Sequence, residues 1–402
     1  MHYKVGTDGS WSTTIPSATN AGSYTIYWYM DASTNYTNVN SSSEPGSITS
    51  TIAKVTPVVS VAPSKASDWT YDGNSHALVS GGAMKHSSTD STTVEGTFTY
   101  STAKNAGTYS ATWTFAPTDT TNYNSTNGNA GSVTIAKTNI SPTVSLSGWT
   151  YGNTANNPSV SGNSGNGTVT YSYKVSTAAD STYSSTKPSN AGTYTVKAEI
   201  AATSNYNGNS CTTNFTIAKA NINPSVSMSG WTYGGTASSP SVTGNSGNGT
   251  VTYEYKISTA ADSTYTTTKP SNAGTYTIRA TIAETSNYNG KSCTTNFTIA
   301  KANLSASVSI ADWVYGSTGS TPSVSGNSGS GSVTYYYKVK DAADSTYSTT
   351  KPSTVNTYTI KAVIVETSNY NGTTVYADFA ISKVTPTVTA PTAKTLTYTG
   401  SD

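Results

Sequence analysis

Histidine is the side chain that most often combines acid–base and metal chemistry at neutral pH, and this sequence has three. His2, His76 and His86 all lie in the first quarter of the chain, and no two of them have the spacing of a zinc pair. The sequence therefore predicts no catalytic residues, no metal ligands and no cofactor site. It also contains no Gly-x-Ser-x-Gly elbow and no P-loop.

Two thiols remain as candidates for redox chemistry, Cys211 and Cys293, at equivalent places in two repeats of the sequence. A single thiol per repeat cannot form a disulfide within its own domain. Val375 occupies the same place in the last repeat. We therefore interpret both cysteines as small buried residues, with an intermolecular disulfide or a reactive thiol as the alternative.

Oxygen ligands and covalent cross-links give weaker signals. The loops at Asp31-Ala-Ser-Thr-Asn35 and Asp119-Thr-Thr-Asn122 each offer one carboxylate to a calcium ion, where several are usual. Ester and thioester cross-links of the kind found in some surface proteins need glutamine, which the chain lacks. A Lys–Asn isopeptide stays open, although no acidic residue occupies an inward position in all repeats to move the protons.

The composition favours strands over helices. Hydrophobic residues make up 34% of the chain and charged residues 10%, while 30 residues are tyrosine. Leucine occurs four times, arginine once and glutamine never, so the residues from which helices are built are scarce. With 21 basic and 19 acidic side chains, the net charge of +2 gives no field that would gather nucleic acid. No apolar run is long enough to insert into a membrane.

The strongest signal is an internal repeat of about 82 residues. Ile-Ala-Lys ends at Lys54, Lys137, Lys219 and Lys301, and Ile-Ser-Lys ends at Lys383. A unit of this length is a small self-contained domain rather than a turn of a solenoid. We predict a partial repeat at 1–54 that lacks its opening strands, repeat domains at 55–137, 138–219, 220–301 and 302–383, and opening strands of a further repeat at 384–402.

Each repeat alternates apolar and polar residues with period two, which is typical of half-buried strands. In the third repeat, the odd positions from Val169 to Val175 are expected to face inward. Tyr194, Val196, Ala198 and Ile200 are expected to do the same, with Thr195, Lys197 and Glu199 outward, and Phe215 and Ile217 form a third inward face. Six or seven short strands separated by Gly/Asn/Pro turns predict an all-β fold, an antiparallel β-sandwich.

One turn carries a more specific prediction. In Asn190-Ala-Gly192-Thr-Tyr194, a glycine turn precedes a tyrosine at the start of a strand. The pattern resembles the tyrosine corner of immunoglobulin-like domains, in which the hydroxyl binds the backbone a few residues earlier. We therefore expect Tyr194 and its equivalents to be structural, although stacking on sugars is the competing interpretation.

The chain as a whole resembles the tandem Ig-like or β-grasp-like repeats of bacterial surface proteins, of the Tyr-Asp-Gly/Tyr-Gly-X (MBG) type. The resemblance implies a tandem array of Ig-like sandwiches, with a β-grasp-like fold as the alternative, and it implies no catalytic residues. The motifs that carry it are Trp69-Thr-Tyr71-Asp72-Gly73, Trp149-Thr-Tyr151-Gly152, Trp231-Thr-Tyr233-Gly234, Tyr398-Thr-Gly400, Asn-Ala-Gly-Thr-Tyr, Asn-Tyr-Asn-Gly and the closing Phe-Thr-Ile-Ala-Lys at 215–219 and 297–301.

These observations predict a non-enzymatic stalk or spacer of an extracellular surface protein or adhesin, in which stacked repeats project a binding region. The alternatives are a virion component, such as a phage fibre or decoration protein, and a carbohydrate-binding module. The expected partners are neighbouring repeats of the same chain. Further copies joined head to tail remain an alternative to an excerpt of a longer array, because 384–402 carries the opening motifs that 1–54 lacks.

Overall fold

The computed structural model describes residues 1–399, and its regular structure is almost entirely β-strand. Within that range the helical elements are three 3-10 turns of three residues each, so the all-β prediction is confirmed and the helix of a β-grasp fold is not formed. None of the described residues forms a helix that could span a membrane. Gly400, which ends the predicted Tyr398-Thr-Gly400 motif, lies with 401–402 outside the described residues.

The chain divides into two compact units. The first contains Met1–Trp149, Thr154–Pro188 and Gly192–Thr216, and the second contains Thr150–Asn153, Ser189–Ala191 and the chain from Ile217 onward. The division therefore runs through the third repeat of the sequence.

The fourth repeat shows the common architecture of six strands. We name them the opening strand (Ser225–Ser227), tryptophan strand (Trp231–Thr232), third strand (Ser241–Thr243), central strand (Val251–Ile257), tyrosine strand (Gly274–Ile282) and closing strand (Lys291–Ala300). The opening and third strands form a two-stranded sheet. The others form a four-stranded sheet in the order tryptophan, closing, tyrosine, central. A 3-10 turn at Asp262–Thr264 follows the central strand.

The third and fifth repeats have the same strands in the same order. In the third repeat they are Thr143–Ser145, Trp149–Thr150, Ser159–Ser161, Val169–Val175, Gly192–Ile200 and Asn209–Ala218, with the turn Asp180–Thr182. In the fifth they are Ser307–Ser309, Trp313–Val314, Ser323–Ser325, Val333–Val339, Asn356–Ile364 and Thr373–Ser382, with the turn Asp344–Thr346.

One strand pair corrects the antiparallel prediction. The tryptophan strand runs parallel to the closing strand, with Trp231 opposite Ile299. The same parallel pair occurs at Trp69 with Ile135 and at Trp313 with Ile381. The chain crosses from one sheet to the other between the opening and tryptophan strands, so this short strand arrives in the direction of the closing strand. The repeats are thus Ig-like β-sandwiches with one parallel pair at the edge.

The core of each sandwich lies between the two sheets. In the fourth repeat Val226 of the opening strand and Met228, just after it, pack against Ile278 and Ala280 of the tyrosine strand and Phe297 of the closing strand. All five are buried because the alternation places them on the facing sides of the two sheets. Equivalent clusters form in the second and fifth repeats.

Two positions of the third repeat correct the predicted faces. Val175 was expected inward but is 52% exposed, because it ends the central strand beyond the reach of the two-stranded sheet, as Ile257 does in the fourth repeat. Thr195 was expected outward but is only 8% exposed. Its hydroxyl donates to Asn214 Oδ1 at 2.7 Å, and Lys174 lies directly opposite it. Val196, Ala198, Ile200, Phe215 and Ile217 are buried, as predicted.

The second repeat keeps the sandwich but divides it into more strands. Its four-stranded sheet has the central, tyrosine, closing and tryptophan strands in the same order, beside short extra hairpins. The strands are Val58–Val61, Ser64–Lys65, Trp69–Thr70, His76–Ala77, Val79–Ser80, Ala83–Lys85, Thr93–Val94, Gly96–Tyr100, Thr102–Ala103, Gly107–Pro117 and Thr126–Ala136.

The two ends of the described chain carry fewer strands. Residues 1–54 form one three-stranded sheet from His2–Val5, Gly22–Tyr29 and Gly46–Ile52, in that order. Ile48 and Ile52 are exposed on it, because no two-stranded sheet covers that side. The opening strands expected at 384–402 are not formed within 384–399, where Val388 and Leu396 are exposed. In the repeats, such strands form by pairing with the strands that follow them.

Candidate functional site

The three histidines have separate partners in the structure. His2 pairs with Asp31, His76 pairs with Asp72 at 2.8 Å, and His86 contacts the Tyr123 hydroxyl at 3.0 Å. Within residues 1–399 no three His, Cys, Asp or Glu side chains come together as a metal site would require. Each histidine thus has its own polar partner, and the structure does not bring the three histidines together.

The two candidate calcium loops use their aspartates locally. The Asp119 carboxylate accepts hydrogen bonds from the backbone N–H groups of Thr121 and Asn122, both at 3.0 Å, and from Asn122 Nδ2 at 2.7 Å. The Asn122 side chain is the main reason that the pKa of Asp119 lies below its ordinary value. Asp31 pairs with His2. The Asp119 carboxylate therefore stabilises its own turn, whereas the Asp31 carboxylate pairs with a residue of the first strand.

The cysteines are half-buried and free. Cys293 lies opposite Ala280 on the neighbouring strand, and Val375 lies opposite Ala362 in the same way. Burial raises the pKa of both thiols above the ordinary value, which lowers the thiolate fraction that would react. This geometry agrees with the interpretation of the thiols as space-filling residues.

The tyrosine corner is confirmed in four repeats. Tyr276 Oη donates to the carbonyl of Asn272, four residues earlier, at 3.0 Å. The same bond occurs from Tyr24 to Asn20, from Tyr109 to Asn105 and from Tyr358 to Thr354, at 2.8 to 2.9 Å. The rings of Tyr109, Tyr276 and Tyr358 also pack against the cores of their repeats, and Tyr276 stacks on Phe297 with 5.7 Å between ring centroids. The corner fixes the turn that contains the Asn-Ala-Gly motif.

That turn is half of a contact that recurs between consecutive repeats, which we call the asparagine clasp. Between the fourth and fifth repeats, Asn369 Oδ1 accepts from the Ala273 N–H at 2.8 Å, and Asn369 Nδ2 donates to Asn272 Oδ1 at 3.2 Å. The side-chain amide of Asn369 therefore binds both the backbone and a side chain of the preceding repeat. The other clasps join Asn122 to Ala21 and Asn20, Asn205 to Ala106 and Asn105, and Asn287 to Ala191 and Asn190.

The loop that carries the clasping asparagine is itself tied to the start of its own repeat. Ala302 N–H donates to the Asn369 carbonyl, and Asn371 N–H donates to the Ala302 carbonyl, both at 2.9 Å. Asn371 Nδ2 adds a bond to Asn303 Oδ1 at 2.8 Å. Ala302 directly follows Lys301, the last residue of the fourth repeat. No flexible linker therefore separates the fourth and fifth repeats. The loop that carries Asn369 lies beside Ala302, where the chain passes from one repeat to the next.

The last lysine of each of the first four repeats adds a further contact across the junction. Lys301 pairs with Glu366 at 3.1 Å and Lys219 with Glu284 at 3.2 Å. Lys54 and Lys137 donate instead to the carbonyls of Thr120 and Thr203, each at 2.7 Å. Because the carboxylates are exposed, such pairs contribute little free energy. They restrict how the junction can rotate.

A pair of tyrosine rings completes three of the junctions. Tyr233, from the Trp-Thr-Tyr motif, meets Tyr370 edge-on with 5.4 Å between ring centroids. Tyr71 with Tyr206 and Tyr151 with Tyr288 have the same geometry. The electropositive edge of one ring points at the electronegative face of the other, so the pair favours one relative orientation.

The sequence contains both halves of the clasp, since the Asn-Ala-Gly and Asn-Tyr motifs recur in step. The sequence does not show that these two motifs pair across 97 to 102 residues. That pairing depends on which loops lie at the same end of the sandwich. The fifth repeat has Thr354-Val355-Asn356 in place of Asn-Ala-Gly. It keeps the tyrosine corner through the Thr354 carbonyl, but Thr354 replaces the asparagine that receives the clasp in the other repeats.

No protein-family model matches this chain, and no curated protein matches it. Solved structures do match. The eight N-terminal Ig domains of Down Syndrome Cell Adhesion Molecule are 11% identical over 96% of this chain and 56% of that chain, with a TM-score of 0.26. This chain thus spans about half the length of that structure.

Two further matches are similar in kind. Sidekick-1 immunoglobulin domains 1–5 are 9% identical over 95% of this chain and 92% of that chain, with a TM-score of 0.23. Three N-terminal domains of the bacteriophage RB49 outer capsid protein Hoc are 13% identical over 62% and 99%, with a TM-score of 0.20. At these TM-scores the matches carry no argument about function, and the Ig-like assignment stands on the strand order and the tyrosine corner described above.

Proposed function

We propose that this chain is a non-enzymatic spacer, a run of Ig-like repeats of the Tyr-Asp-Gly/Tyr-Gly-X type from an extracellular surface protein or adhesin. The observation that carries the proposal is the asparagine clasp, which recurs between consecutive repeats with the same donor and acceptor atoms. A contact that recurs at successive junctions connects the repeats to one another and adds nothing to the interior of any single repeat. A spacer needs neighbours held in one relative orientation, and the clasp supplies directional bonds for this.

The charged side chains of the repeats support a structural role. Lys256 pairs with Asp262 at 2.9 Å, and Lys338 pairs with Asp344 at 2.7 Å, each across the 3-10 turn of its own repeat. Lys256 also donates to the Ala260 carbonyl at 2.6 Å. These lysines hold the turn against the sheet. A virion spacer would use the same architecture, so the genes beside the reading frame are what separates the two settings.

The experiment measures the orientation of two repeats within the second unit. Nitroxide labels at Ser263→Cys and Ser345→Cys, in the full chain with Cys211→Val and Cys293→Val, occupy equivalent exposed positions of the fourth and fifth repeats. Pulsed electron-spin distance measurement should give one narrow distribution, which Asn369→Ala broadens. Asn296→Ala, which removes an amide bonded to Thr277 away from the junction, is the matched control and should leave it narrow. A broad distribution in the unsubstituted background would refute the spacer proposal.

A further inference from the structure

The fifth repeat carries an aromatic surface on the outer side of its four-stranded sheet. Tyr336, Lys361 and Tyr376 lie side by side on the central, tyrosine and closing strands. Lys361 Nζ lies 4.8 Å from the ring centroid of Tyr336 and 4.1 Å from that of Tyr347, which follows the 3-10 turn. Tyr376 is 59% exposed. We call Tyr336, Tyr347, Lys361 and Tyr376 the tyrosine patch.

The neighbouring repeats show what this surface is without the extra rings. In the fourth repeat Glu254, Arg279 and Thr294 occupy the three places across the sheet. In the third repeat the residues are Ser172, Lys197 and Thr212. Only the tyrosine after the turn is common to all three repeats. The fold therefore does not require Tyr336 or Tyr376, because the third and fourth repeats form the same strands without them. Both rings add apolar surface that has no structural role shared with the other repeats.

The cation of the patch also differs from its equivalents. Arg279 is neutralised by Glu254 at 2.8 Å, and Lys197 by Glu199 at 2.6 Å. No carboxylate within residues 1–399 lies in ion-pair range of Lys361. The nearby Asp344 and Asp378 are paired with Lys338 and Lys340. Val363 stands where the third repeat has Glu199, so the neutralising carboxylate has been replaced by an apolar residue.

We propose that the tyrosine patch binds a polysaccharide that contains carboxylated sugars. The faces of aromatic rings are electronegative and attract the C–H groups on the face of a sugar ring, while the unpaired ammonium of Lys361 pairs with the carboxylate. The rings hold that ammonium in place before the ligand arrives, which lowers the entropy cost of binding.

The sheet edges argue against a peptide as the occupant. An extended peptide binds Ig-like sheets by adding a strand to a free edge. Here the edge of the central strand is bridged by Ser348, whose backbone exchanges bonds of 2.7 and 2.9 Å with Tyr337. The opposite edge is occupied by the tryptophan strand. The open part of the sheet is its flat outer face, which suits a chain of sugar rings.

The test measures binding of the full chain to polygalacturonate, with neutral dextran and poly-glutamate as comparison polymers. Polygalacturonate should bind and dextran should not. Tyr336→Ser with Tyr376→Thr copies the third repeat, so it keeps the fold, and it should weaken binding about tenfold or more. Val363→Glu, which copies Glu199, should weaken it to a similar extent by neutralising Lys361. Thr294→Ser in the fourth repeat is the control and should have no effect.

A variant that gains a second binding site provides an independent test of the proposal. Ser172→Tyr, Glu199→Val and Thr212→Tyr together rebuild the patch in the third repeat, and should double the number of bound polysaccharide segments per chain. Absence of binding to polygalacturonate, or equal binding by the copied variants, would overturn the proposal. Equal affinity for poly-glutamate would overturn it in favour of an acidic peptide. None of these outcomes depends on the asparagine clasp.

Discussion

The interior of a repeat and the junction between repeats are built from different chemistry. The interior is apolar, and equivalent positions exchange freely: Val196 in the third repeat is Ile278 in the fourth and Ile360 in the fifth, all fully buried. The junction places polar side chains beside its tyrosine pair, and its clasping residues Asn205, Asn287 and Asn369 are identical. Burial depends on volume, which several residues supply, whereas a clasp that donates and accepts at once needs an amide. The interior therefore stabilises each repeat, and the hydrogen bonds of the junction set the relative orientation of neighbouring repeats.

The largest effect should come from the interior. Phe297→Ala removes the ring on which Trp231 stacks at 5.4 Å and against which Tyr276 packs, and should lower the free energy of unfolding of the fourth repeat by about 3–5 kcal/mol. Hydrogen exchange followed by mass spectrometry on the full chain locates the loss. Thr294→Ala, on the exposed face, is the control. A loss of less than about 1 kcal/mol would contradict the central place of Phe297 in this core.

The tyrosine corner should contribute less, because it loses a hydrogen bond but no volume. Tyr276→Phe removes the bond to the Asn272 carbonyl and should lower the free energy of unfolding by about 1 kcal/mol. The corner also positions the clasp, so exchange at Ala273 N–H should accelerate. Tyr265→Phe, a ring held by Arg279 on the outer face, is the matched control. Equal effects of the two variants would show that the corner bond has no special role.

The clasp should contribute mainly to coupling between repeats. Asn369→Ala removes two hydrogen bonds, so the coupling free energy between the fourth and fifth repeats should fall by about 1–2 kcal/mol, while each repeat keeps most of its own stability. Stepwise denaturant unfolding monitored by hydrogen exchange measures this. If the two repeats still unfold at the same denaturant concentration in the variant as in the parent, the clasp does not couple them.

Acid should weaken one turn of the second repeat. The Asn74 backbone N–H, followed by the His76 side chain, lowers the pKa of Asp72 from 3.8 to about 2. A carboxyl group whose pKa is lower in the folded state stabilises that state above its unfolded pKa, and the contribution disappears as pH falls from about 4 to about 2. The opening of this turn, measured by hydrogen exchange, should rise over that interval. Asp72→Asn should remove the dependence on pH.

The smallest effect is expected at the thiols. Cys211→Val and Cys293→Val copy Val375, and should change the free energy of unfolding by less than about 0.5 kcal/mol. Gel filtration under oxidising and reducing conditions should show the same oligomeric state before and after substitution. Oligomers that disappear with the cysteines would restore the intermolecular disulfide as the better interpretation.

Alternation along the strands predicted most of the interior, because period two follows directly from strand geometry. Val196, Ala198 and Phe215 are buried for that reason. The inward prediction for Val175 was wrong because alternation does not show where the covering two-stranded sheet ends. The parallel tryptophan strand was missed because strand direction depends on the path between sheets. The clasp and the tyrosine patch were missed for a related reason: Tyr336 and Tyr376 come to flank Lys361 only through strand register.

The 3-10 turns have a consequence for aggregation. Near-identical repeats in one chain hold many copies of the same strand at high local concentration, which favours pairing between the wrong copies. In the fourth repeat, the segment after the turn returns so that Thr266 and Tyr255 exchange backbone bonds of 2.7 and 2.9 Å along the outer edge of the central strand. The tryptophan strand at the other edge is only two residues long. Both edges are thus poor templates, and a chain of similar sandwiches can remain free of sheet-to-sheet association.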